Sequence, residues 1–134
     1  KPRFPGGHFF HTDYTTGELV KYMSNLFFTV KVAFCNEFYD IIQGLDCDYD
    51  EVKSMVLADG RIGNSHMDCP GSENQRGFGG KCFPKDLKSF LTWGKDLGLD
   101  MTMFEATEKV NERVRKVKDW EEIKGATTEN SFKD

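Results

Sequence analysis

Between Thr15 and Leu45, apolar residues recur at the three- and four-residue steps of an α-helix: Leu19, Met23, Leu26, Phe27, Val30, Phe34, Phe38, Ile41, Ile42 and Leu45. The pattern predicts one long helix over 15–44. It would be opened by the capping box Thr15-x-x-Glu18 and stopped by Gly44. Other faces of the same helix also carry apolar residues, namely Val20, Tyr22, Phe28, Val32, Ala33 and Tyr39, so a single neighbour would not cover it. A partner helix from a second copy of the chain is implied, with Phe28 and Val32 as contact positions. Lys21, Asn25 and Thr29 follow one another at four-residue steps, and Asn36 and Asp40 continue close to that face. A polar seam on so apolar a helix needs bonding partners.

Downstream, Asp48 is placed to cap a short second helix through Val52, Met55 and Val56, ending near Asp59-Gly60. A third helix is expected from about Phe83-Pro84 to Gly98, with Leu87, Phe90 and Leu91 on its apolar face. A fourth starts after Asp100 and runs through Met103, Phe104, Val110, Val114 and Val117. No alternating strand pattern and no internal repeat occurs, so the expected fold class is all-α. Residues 1–14, with Pro2, Pro5, Gly6 and Gly7, look like a connector from a preceding domain, 15–117 like the helical domain, and 118–134 like a tail. More than twenty residues rich in Gly, Asn, Ser and Asp separate the second helix from the third, and loops this long usually carry function.

Composition narrows the classes. The 134 residues are 38% hydrophobic and 13% aromatic, with 12 Phe, which suits one folded domain. A net charge of −4, with scattered basic residues, gives no footprint for nucleic acid or an anionic membrane surface. No run approaches the roughly 20 apolar residues that cross a bilayer, and a cytoplasmic location is expected. Cys35, Cys47, Cys69 and Cys82 show no C-x-x-C spacing, so free thiols are expected and no metal site; His8 and His11 sit in a Gly/Pro-rich entry segment without a second ligand pair.

The densest chemical signal is Gly77-Phe78-Gly79-Gly80-Lys81-Cys82-Phe83-Pro84-Lys85-Asp86. It sets a cysteine at the end of a glycine-rich loop and at the mouth of a helix, where unpaired backbone N–H groups and the helix dipole favour a thiolate. Lys81 and Lys85 add positive charge, and the glycines let a ligand approach the backbone closely. Asp86 lies one turn beyond Cys82, suitably placed to orient water or take a proton.

That string resembles the cysteine motif of the UDP-glucose/GDP-mannose dehydrogenase family, G-F/Y-G-G-x-C-F/L-P-K-D. Glu18-Leu19-x-Lys21-x-x-x-Asn25, followed by Lys31 and Asn36-Glu37, is similar to the family's E-L-x-K-x-x-x-N helix leading to N-E, and Asp59-Gly60-Arg61-Ile62-Gly63 to the segment with its substrate-binding arginine. The resemblance covers roughly residues 12–117 and implies a long dimerisation helix packed with shorter ones, as in the C-terminal helical domain of 6-phosphogluconate dehydrogenase. It implies the two-step oxidation of a nucleotide sugar's primary alcohol to a carboxylate, of the UDP-glucose to UDP-glucuronate type, consuming two NAD. Cys82 would carry the thiohemiacetal and thioester, Lys21 and Asn25 would stabilise the oxyanion and hold water, and Asp86 would move protons. Arg61, Phe78, Gly79, Gly80, Lys85 and Glu18 would contact the nucleotide sugar, Arg61 across the dimer interface. No residue of this chain is expected to bind NAD, because the Gly77–Gly80 run lacks a preceding strand and the G-x-G-x-x-G spacing; a domain outside the chain would hold it. The alternative is a non-catalytic helical dimerisation or nucleotide-sugar-binding module derived from the same family.

Overall fold

A computed structural model describes residues 7–71 and 74–122, and its regular elements are all helical. Residues 1–6 of the expected connector and 123–134 of the expected tail lie outside the described residues. The elements are α1 (Tyr14–Gly44), α2 (Tyr49–Ala58), α3 (Cys82–Asp96), α4 (Thr102–Val114) and a single 3-10 turn at Asp119–Glu121. No strand occurs among the described residues, as the sequence pattern predicts.

Helix α1 begins one turn-third earlier than the capping box would set it. Asp13 is the N-cap, and its carboxylate accepts from the Thr16 N–H at 2.9 Å and the Thr16 hydroxyl at 2.7 Å. Two bonds to one acidic cap displace Thr15 from that role and leave Glu18 outside the cap. At the other end Gly44 is still helical. The left-handed residue that stops the helix is Asp46 (φ 54°), with Asp46 N–H donating to Gln43 C=O and Cys47 N–H to Ile42 C=O. That is a Schellman arrangement with Asp in the place usually taken by glycine. Helix α3 closes in the same way with Gly98 (φ 72°), where glycine was expected. Asp48 caps α2 as the sequence indicates, accepting from the Asp50 and Glu51 N–H groups. Helix α4 stops at Val114 instead of reaching Val117, because Arg115 turns to extended backbone (ψ 116°) and its Nε donates to the Val117 C=O.

Two apolar clusters lie along α1. Near its N-terminal half, Leu26 packs with Phe78, Leu87, Leu91 and Met101, flanked by Tyr22, Val32, Phe83, Phe90 and Phe104. Near its C-terminal half, Cys35 and Ile42 pack with Tyr49, Met67 and Cys69. Gly94 of α3 lets α4 approach, since a Cβ there would lie 2.4 Å from the Met101 sulfur. Phe28 and Val32, expected at a contact with a second copy, turn instead into the chain's own fold, where Phe28 stacks on His66 and Val32 packs against the core. Tyr22, Phe28, Val32, Ala33 and Tyr39 turn towards the chain's own helices and loop. Leu19, Met23, Phe27, Phe34, Phe38, Ile41 and Leu45 are exposed. Periodicity finds apolar faces but does not say which of two is covered from within. No helix among the described residues is long and apolar enough to cross a membrane.

Candidate functional site

The Gly77–Gly80 run forms the approach to α3. Gly77 and Gly80 both take positive φ (72° and 76°), which the tight turn into the helix requires. Cys82 follows as the first residue of α3 and is exposed, so its thiol stands at the end of the helix where backbone N–H groups are left without intrahelical partners. All four cysteines are free thiols; Cys35 and Cys69 are buried, and burial pushes the Cys69 thiol up.

One turn along α3, Asp86 is buried, and the Asn25 side-chain amide donates to its carboxyl at 2.7 Å. This bond crosses from α1 to α3 and joins two of the residues singled out from the sequence. Burial and the neighbouring Asp86 charge also push the Tyr22 phenol up. Lys21 sits one turn before Asn25, exposed, and no hydrogen bond or ion pair among the described residues engages its amine. Glu18 and Lys85 are half-buried on the same two helices.

The rest of the polar seam is bonded inside the chain. The Thr29 hydroxyl, fully buried, donates to the Leu26 C=O. The Asn36 amide donates to Val32 C=O, while its Oδ1 accepts from Arg76 Nε at 3.0 Å and from the Cys69 thiol. Arg76 also donates to the Asn36 C=O, pairs with Asp40 at 2.9 Å and lies over the Tyr39 ring. Through Arg76, α1 anchors the loop just before Gly77. Bonding to Arg76, and then to Arg113, holds the Asp40 carboxyl below the usual carboxylate range.

A cavity of about 380 Å³ opens beside the glycine loop, with His66, Phe78, Gly79, Gly80, Phe83 and Arg115 among its lining residues. Its size suits a small ligand. His66 stacks on Phe28 (centroids 4.0 Å apart), and burial together with the Lys31 charge lowers its pKa. Phe78 is a core residue that also lines the cavity. Arg61 lies elsewhere. It is exposed, bonded to Asp59 (Nη2 to Oδ2, 2.6 Å), and it edges an apolar groove of about 650 Å³ that Phe27, Phe34, Phe38, Val56 and Ile62 help to line. Within one chain, Asn25 of α1 meets Asp86 of α3, one turn beyond Cys82, and Arg61 is not brought to them.

Sequence reasoning missed four residues that shape the site: Arg76, Asn111, Arg115 and Asp119. Thr107, Asn111 and Arg115 are all buried and stand at four-residue steps on or just after α4. They form a second polar seam, detectable by the rule that found the first.

Residues 15–113 match the UDP-glucose/GDP-mannose dehydrogenase family, central domain. The UDP-glucose 6-dehydrogenase of Rickettsia felis is 33% identical over 108 residues, which are 81% of this chain and 23% of that protein. UDP-glucose 6-dehydrogenase TuaD of Bacillus subtilis is 33% identical over 104 residues, 78% of this chain and 22% of its own. A solved UDP-glucose dehydrogenase from the hyperthermophilic archaeon Pyrobaculum islandicum superposes with a TM-score of 0.65 at 40% identity, covering 73% of this chain and 22% of that one. The chain thus spans under a quarter of the length of these relatives.

The Asp40–Arg76 pair gives a pH signature. Because the folded-state pKa of Asp40 is depressed, its contribution to stability is present above the ordinary carboxylate pKa of about 3.9 and is lost as pH falls through the lower folded value. Asp40 is partly exposed, so the effect is discounted for solvent screening. Urea unfolding should therefore find wild type more stable than Asp40→Asn by a constant amount at neutral pH, with the gap closing below about pH 4. A gap that widens on acidification would contradict this assignment.

Proposed function

Because the chain belongs to the UDP-glucose/GDP-mannose dehydrogenase family, as its central domain, we propose that it carries the covalent chemistry of a nucleotide-sugar 6-dehydrogenase, with Cys82 as nucleophile. The observation that carries this reading is the half-buried Asn25–Asp86 bond, which ties α1 to α3 one turn beyond Cys82. Buried polar side chains are usually bonded, and a buried carboxyl with a dedicated donor beside an exposed thiol is an arrangement suited to proton transfer.

In the proposed reaction the Cys82 sulfur adds to the aldehyde carbon of the half-oxidised sugar. A C–S bond forms, the carbonyl oxygen becomes an oxyanion, and the thiol proton is released. Lys21, whose amine is unengaged, supplies positive charge near this oxygen, and Asn25 orients water for the later step. Once the adduct is at the thioester level, water adds to the carbonyl carbon, the C–S bond breaks, and the carboxylate and the thiol are released. Asp86 receives and returns the protons these steps move. The described residues do not fit the dinucleotide that oxidises the sugar, since they include no strand and so no parallel sheet ending in a phosphate-binding turn. NAD is therefore assigned to a domain outside these residues, and the steps above are those of this chain alone.

The nucleotide sugar is proposed to occupy the cavity beside Gly79 and Gly80, which Phe78 also lines, with the half-buried Lys85 of α3 and Glu18 of α1 as further proposed contacts outside its lining. The proposed partner is a second copy of the chain, docked on the exposed side of α1. Val20, Phe27, Phe34 and Ile41 recur there every seven residues, and Met23, Val30, Phe38 and Leu45 follow each by three or four, the spacing of a helix–helix seam. This stripe is about 38 Å long and offers an isologous contact. Arg61, at the edge of the same face, would then reach the partner's sugar nucleotide.

Joining the chain to the dinucleotide-binding domain of a relative should give NAD reduction that depends on UDP-glucose. Asp86→Asn should then slow turnover by about 10²–10⁴-fold, the usual effect of losing a general acid–base group, and Cys82→Ser should block formation of the acid. Acid formation by the Cys82→Ser protein, or NAD binding by the isolated chain in calorimetry, would contradict the proposal.

A further inference from the structure

The start of α3 is not held by its own cap. Lys81, the N-cap residue, makes no side-chain capping bond, and the two residues before it are Gly79 and Gly80. Left to itself, such a segment has many backbone conformations to lose, and the direction of the Cys82 thiol would vary with them. The restraint comes from α4 instead. Asn111 is buried there (4% exposed), its Oδ1 accepts from the Phe78 N–H at 2.8 Å, and its Nδ2 donates to the Phe78 C=O at 2.9 Å. One amide side chain therefore satisfies both backbone groups of Phe78, as a neighbouring strand would.

The fit is close enough to dictate sequence on both sides. A Cβ on Gly77 would lie 2.3 Å from Asn111 Oδ1 and 3.1 Å from Val114 Cγ2, so only glycine admits this approach. Beyond Phe78, the Gly80 N–H donates to Asp119 at 3.0 Å, which fixes the loop a second time from the segment after α4. The Phe78 ring meets Phe83, the residue after Cys82, edge-on with centroids 6.4 Å apart. A restraint applied at Phe78 is thus passed to both flanks of the thiol, through backbone on one side and through ring packing on the other.

We propose that Asn111 is a positioning residue for Cys82, acting through the backbone of Phe78 to fix the glycine loop and hence the thiol at the mouth of α3. The proposal rests on the reading of Cys82 as a nucleophile. It goes beyond that reading by assigning the preparation of the thiol to α4, an element that carries none of the residues proposed for the chemistry.

The test is the ratio of iodoacetamide alkylation rates at Cys82 and Cys47, both exposed, measured by mass spectrometry on the full chain under native conditions over about pH 6 to 9. Asn111→Asp keeps the acceptor for the Phe78 N–H but sets an oxygen against the Phe78 carbonyl, and Asn111→Ala removes both bonds. Thr107→Val, one turn earlier on α4, is the control, since it removes a buried hydroxyl bonded only to Met103 C=O. Both Asn111 variants should lower the ratio by about tenfold, with Thr107→Val within about twofold of wild type. An unchanged ratio in Asn111→Ala, while its Phe78 amide exchanges faster with deuterium, would overturn the proposal. So would loss of the fold in both Asn111 variants, which would make the residue a determinant of folding alone. A wild-type ratio near one would instead sink the nucleophile reading, and this proposal with it.

Discussion

Helix α1 has to satisfy partners on two sides, and most of the molecule is arranged around that demand. One side carries Leu26, Tyr22 and Val32 against α3, α4 and the glycine loop, and Cys35 and Ile42 against α2 and the loop after it. The other carries Phe27, Phe34, Phe38 and Ile41 with no covering element among the described residues. Along the inner side runs the polar seam, with Thr29 and Asn36 fully buried. Because α1 spans the whole domain, each polar residue along it meets a different element, and its chemistry is decided by what that element offers: Asp86 of α3 for Asn25, the loop residue Arg76 for Asn36 and Asp40.

The glycine loop depends on this frame at every point. Arg76 ties it to α1 before Gly77, Asn111 ties Phe78 to α4, and Asp119 takes the Gly80 N–H. A Cβ at Gly79 would lie 2.4 Å from both Arg115 Nη2 and Asp119 Oδ1, so a larger residue there would push these side chains away from the loop. The loop's flexibility of composition is therefore spent on close approach, and the folded loop is held by three side chains from three directions.

Much of this was legible in the sequence, and what was not has physical reasons. Four helices, the Asp48 cap and the Gly98 stop followed from period and caps, and the family resemblance named Asn25 and Asp86, though not the bond between them. The capping box failed because Asp13, just upstream, is a stronger competing acceptor. Helix α1 ends at Gly44 as expected, but the left-handed residue that stops it is Asp46, since an Asp can also adopt that conformation. The inner and outer faces of α1 could not be told apart, since both are apolar and only tertiary contacts select one. The roles of Asn111 and Asp119 escaped because they bond to backbone, and a backbone group leaves no mark in the sequence of its partner.

The proposed dimer covers the outer face of α1 with a second copy of the chain and would bring Arg61 of one copy towards the loop of the other. Sedimentation equilibrium of the full chain at micromolar concentration, with and without Phe34→Glu, tests it most directly. The account predicts a dimer for wild type and a folded monomer, with unchanged helical circular dichroism, for Phe34→Glu. A wild-type chain that is cleanly monomeric at that concentration would contradict it.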